Sequence, residues 1–93
     1  MKDIIVIKQG ETVVFEGKLY DMPFKEEAIK NMSIKLFSDP EPCIIHQTYA
    51  MQTLLEPLMK QLKTHKIVNL NDIDTSYLNL SNIETLTIEK KRF

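Results

Sequence analysis

The N-terminal stretch constrains the fold more than any other part of the chain. Two apolar runs, DIIVIK (3–8) and TVVFEGKLY (12–20), flank Gln9-Gly10-Glu11. In the second run Val13, Phe15 and Leu19 fall on one face, and Val14, Glu16, Lys18 and Tyr20 on the other. Alternation with one apolar face is the pattern of a half-buried strand. Gly10 can supply the positive φ of a tight turn, so the two runs are predicted to form a β-hairpin. Ile4 to Ile7 are apolar on both faces, which places the first strand inside a sheet rather than at its edge.

The period then changes. DMPFKEEAIKNM (21–32) predicts a short helix, with Asp21 as cap, Pro23 in the first turn, and Glu26 and Glu27 near the positive end. Its residues Phe24, Ala28, Ile29 and Met32 recur at helical spacing and are expected to pack on the sheet. SIKLF (33–37) alternates again and reads as a strand. Prolines at 40 and 42 push Asp39 and Glu41 toward extended geometry. SDPEP is therefore expected to be a loop leading into a strand over 43–49, although a helix could also begin at Pro42.

MQTLLEPLMKQLKTHK (51–66) carries the strongest helical stripe: Met51, Leu54, Leu55, Leu58 and Leu62. Pro57 interrupts it, and Thr53 and Glu56 have capping-box spacing, so a kink or restart is expected there. Residues 69–82 are rich in Asn, Asp and Ser and predict turns. IETLTIEKK (83–91) predicts a last strand with one wet face. Together these give a single α+β domain over residues 1–93. It has two layers, with antiparallel β-hairpins packed against one short and one longer helix that can kink at Pro57.

Chemistry-bearing residues are sparse. Cys43 is the lone cysteine and stands three positions before His46. On a strand, side chains three apart point to opposite faces, so the pair could not meet; on a helix they would share a face. The strand reading makes Cys43 a buried packing residue and His46 a separate one. One cysteine with two distant histidines falls short of a zinc set, and no metal or cofactor is expected. Asp72 to Ser76 opens like a calcium loop, but Tyr77 stands where the turn needs Gly and Ile83 where Glu is needed, so it reads as a polar turn. No phosphate loop or nucleophile elbow is present, and the carboxylates are scattered.

The apolar run at Ile4 to Ile7 is too short for a signal peptide or a membrane span, and one cysteine suits a reducing compartment. These features give the expectation of a cytoplasmic protein. Heavy use of Ile, Lys and Asn is the composition of an AT-rich bacterial genome. The sequence points to a small, non-enzymatic binding or accessory protein. Its expected partner is another protein, a second copy of itself across the apolar strands and an open sheet edge, or both. The alternative is a nucleic-acid binder in which Lys60, Lys63 and Lys66 join Lys90, Lys91 and Arg92 in one basic patch, with aromatics such as Tyr20, Phe37 or Tyr49 on a sheet face stacking bases. The net charge of −1 disfavours it. An enzyme with an unrecognised site ranks third.

Overall fold

A computed structural model describes residues 4–92. Asp3, where the first strand was expected to start, lies outside the described residues. The hairpin forms as the pattern requires: β1 (Ile4–Gln9) and β2 (Thr12–Lys18) pair antiparallel around Gly10, whose φ is +62°. The sheet order is β2-β1-β4-β3, completed by β3 (Ile67–Asn69) and β4 (Leu86–Arg92). β1 is thus interior, with antiparallel partners on both sides.

The inner sheet face carries Ile5, Ile7, Phe15, Val68, Leu86 and Ile88. The outer face explains why β1 is apolar on both sides. Val6 lies between Glu16 and Glu89, and is nonetheless buried. Lys91 reaches across β1 to pair with Glu16, and Lys8 pairs with Glu89 at 3.7 Å. Their aliphatic stems shelter Val6 while their charged heads stay wet. One expectation fails on β2. A bulge sets Val13, not Val14, opposite Lys8, so Val13 joins the outer face and both valines are exposed.

The helices depart from the sequence reading in three places. α1 runs Glu26–Phe37, so 33–37 is helix and not a strand. It also starts later than expected, and Asp21 does not cap it: that residue ends a 3₁₀ turn, Leu19–Asp21. The cause is tertiary. Phe24 bridges Leu78, Lys25 N–H donates to the Tyr77 carbonyl (2.8 Å), and Asn79 N–H donates to the Pro23 carbonyl (2.7 Å). Those bonds hold the chain extended until Glu26.

The second correction is larger. α2 spans Ile44–Thr64, a helix of 21 residues and about 30 Å, so 43–49 forms its cap and first turns instead of a strand. The third is that α2 neither breaks nor restarts at Pro57. The Thr53 hydroxyl donates back to the Tyr49 carbonyl (2.9 Å), an interior-helix bond rather than a cap. Pro57 removes one backbone donor, at a cost of about 3 kcal/mol. Thr53 and Pro57 are exposed, so the orphaned carbonyl can be hydrated, and burial of Leu55, Leu58 and Leu62 on the sheet offsets the loss.

The core joins β1, β4, Val68, the C-terminal half of α2 and the 70s segment, with Leu70, Tyr77 and Leu78 all buried. Among the described residues from 29 to 53, none joins this cluster, although Ala50 on α2 is fully buried. α1 packs chiefly on α2 and not on the sheet as expected, and its one fully buried residue is Ser33.

Candidate functional site

The segment outside the core is where the chain departs most from an ordinary surface. α1 ends at Ser38, whose left-handed backbone (φ 57°) turns the chain while its N–H donates to the Ile34 carbonyl (2.8 Å). Asp39 organises the loop that follows. Its carboxylate accepts the Glu41 N–H (3.1 Å) and lies 2.8 Å from His46 Nδ1. A carboxylate only accepts, so Nδ1 carries the proton. The hydrogen bond from His46 is the main reason the Asp39 carboxyl titrates below its ordinary 3.8. Burial works against that shift, and the N–H groups of Glu41 and Cys43 work with it.

α2 then starts with Cys43 as its N-cap, and the Gln47 side chain bonds back to the Pro42 carbonyl (3.0 Å). The His46 ring lies on Phe37, and the Tyr49 ring meets Phe37 at a steep angle, with centroids 6.1 Å apart. These contacts tie the last turn of α1 to the first turns of α2.

The remaining apolar side chains of this tip face water. Ile44 is 80% exposed, Ile45 65% and Tyr49 52%, and Ile34, Leu36 and Phe37 are exposed as well. Ile45 and Tyr49 are four residues apart and share a face of α2, while Ile44 lies about 100° round from Ile45. Such a cluster on a surface marks a binding site more often than chance exposure does.

The Cys43–His46 question resolves differently from expectation. Cys43 is exposed, not buried, and both residues belong to one helix start rather than to opposite faces of a strand. Even so, no hydrogen bond links them among the described residues; Nδ1 of His46 is taken up by Asp39 and its ring by Phe37. Among the described residues, no three His, Cys, Asp or Glu side chains are gathered as a metal site requires.

The six basic residues do not pool. Lys60 and Lys63 line a shallow cleft of about 420 Å³ with Tyr20, Gln52, Met59 and Glu56, the last partly offsetting their charge. Lys66 lies beyond the end of α2. Lys90 points inward, its Nζ donating to the Leu62 carbonyl (2.6 Å) and tying β4 to the last turns of α2. Lys91 pairs with Glu16. The side chain of Arg92 lies outside what the structure describes.

No protein-family model matches this chain, and no curated protein or solved structure is measurably similar to it.

Among the described residues no helix is long and apolar enough to cross a membrane. Sequence reading put Phe37 and Tyr49 on a sheet face as base-stacking aromatics; both lie on helices instead, and what it missed is the tip they form with Leu36, Ile44 and Ile45. The available signal was density, because the stretch 34–49 holds more apolar residues than one face of a strand or helix can bury.

Proposed function

We propose that this chain is a small cytoplasmic, non-enzymatic binding or accessory protein acting through the α1–α2 tip. One observation supports it above the others. Six of the exposed large apolar side chains fall between Ile34 and Tyr49, a span in which no apolar residue is buried. Burying those side chains at an interface would recover hydrophobic free energy that folding alone leaves unused. Photo-crosslinking in cells tests the reading. A benzophenone amino acid at Tyr49 should give protein adducts, while one at Lys18, on the outer sheet face, should not. Equal and low yields from both positions would sink it.

A second reading has a specific observation behind it. Tyr20 stands in the same cleft as Lys60 and Lys63, an aromatic beside two cations, which suits a stacked base and its phosphate. A labelled single-stranded oligonucleotide at low salt should then bind the wild type and not Lys60→Glu/Lys63→Glu. Absence of wild-type binding there removes the nucleic-acid reading, since phosphate contacts are strongest at low salt.

A further inference from the structure

We propose that the cleft between α2 and the Leu19–Asp21 turn selects guanine, as a free nucleotide or as one residue of a single strand. The proposal rests on the nucleic-acid reading of this cleft and adds which base it takes.

The cleft is built mainly by one face of α2. Gln52, Glu56, Met59, Lys60 and Lys63 line it, and helical spacing gathers these positions within about 100° around the axis. Leu55, Leu58 and Leu62, which are fully buried, occupy the neighbouring face. Tyr20, from the 3₁₀ turn, supplies the remaining wall and is 40% exposed. The volume of about 420 Å³ falls within the range of small-ligand sites, about 300–1,000 Å³.

The order of groups along this face is the second argument. Gln52 and Glu56 come first along α2, then Met59, then Lys60 and Lys63. At about 1.5 Å per residue, Glu56 and Lys63 stand about 10 Å apart along the axis. A nucleotide is ordered in the same way: a hydrogen-bonding edge, a flat ring, then a phosphate. Tyr20 and Met59 provide surface for the ring, and the two lysines provide charge for the phosphate.

The identity of the base follows from Glu56. Glu56 and Lys60 have the spacing and order that favour an ion pair on a helix. Neither is in one among the described residues, so both head groups are open to a ligand. A carboxylate only accepts, through two oxygens side by side. Its match on an unpaired base is an edge with two adjacent donors. Guanine alone of the common bases has one, at N1–H and N2–H, and its O6 can accept from the Gln52 amide. Adenine, cytosine and uracil each set an acceptor beside the donor on that edge, and a carboxylate there would face a lone pair.

The test is calorimetric titration of the full chain at low salt with the four nucleoside monophosphates and inosine monophosphate, which lacks the N2 amine. Guanosine monophosphate should bind about tenfold more tightly than the rest, inosine included, since each of them loses a hydrogen bond to a charged group. Glu56→Gln sets a donor beside its acceptor. It should erase the preference without weakening the other nucleotides, and with unchanged circular dichroism. A labelled adenine strand with one guanine, against the all-adenine strand, separates the sources. Preference in the strand alone assigns a residue of a nucleic acid, and preference among the monophosphates assigns a free nucleotide. Binding that needs Lys60 and Lys63 but ignores the base overturns the guanine inference and leaves the nucleic-acid reading standing. Absence of binding by every nucleotide and strand overturns both. A guanine preference that persists in Glu56→Gln also overturns the proposal.

Discussion

The imidazole of His46 lies flat on the ring of Phe37, with centroids 4.1 Å apart and planes 7° from parallel. With its Nδ1 held by Asp39, the ring is fixed both in plane and in rotation. The tip is therefore ordered by polar and aromatic contacts rather than by a core of its own, and its aliphatic side chains are left exposed.

Asp39 gives the first prediction. A carboxyl whose folded-state pKa is lowered stabilises the fold above its unfolded value, and that contribution fades as pH falls through the folded value. Asp39→Asn should therefore have a lower urea midpoint than the wild type near neutrality. The gap should close below about pH 3.8. A gap independent of pH would mean that the hydrogen-bonded carboxylate is not its source.

Ser33 gives the second. Its hydroxyl is buried in α1 with no hydrogen-bond partner among the described residues. An unsatisfied buried hydroxyl is unfavourable, and Ala is the better helix former. Ser33→Ala should raise stability by about 1 kcal/mol in urea unfolding. A loss of stability would show that the hydroxyl has a partner, such as a bound water.

Tyr77 behaves similarly but also titrates. It stacks on Phe24 at 5.6 Å, and its hydroxyl is buried without a partner among the described residues. Burial, aided by the Asp74 charge, pushes the phenol up to about 12 from 10. A raised pKa means stability is intact below the unfolded value and is lost as pH rises through the folded one. The wild type should thus lose up to about 3 kcal/mol between pH 10 and 12 relative to Tyr77→Phe. Parallel stability curves for the two proteins over that window would contradict the assignment.

Cys43 supplies the fourth. Because it is exposed at the start of α2, a thiol reagent should modify it about as fast in the native protein as in urea. Cys43→Leu should change stability by less than about 0.5 kcal/mol. A native thiol protected tenfold or more would restore the buried reading.

The strands and the tip were not equally legible. β1 and β2 are written locally: an alternating run, a glycine turn and a continuous apolar run are together sufficient. The Leu55, Leu58 and Leu62 stripe is local in the same way. The stretch from 33 to 49 is not, because Ile34 and Leu36, like Cys43 and Ile45, alternate as strand residues do, while nothing at Cys43 signals a cap. Helix wins there because each half finds the other, through Phe37, His46 and Asp39. The scattering of the lysines was partly legible, since alternation from Leu86 and Ile88 puts Lys90 on their face, but its bond to the Leu62 carbonyl and the pairing of Lys91 with Glu16 are tertiary.

The two central strands, β1 and β4, come from opposite ends of the described chain. At a synthesis rate of about 5–20 residues per second, roughly 4–16 s separate the emergence of residues 4–9 from that of residues 86–92. Throughout that interval the seam between them cannot close, and an isolated β-hairpin is marginal in water. The helical pair, whose contacts are close in sequence, can assemble earlier. The nascent chain would then display its apolar tip before its sheet exists.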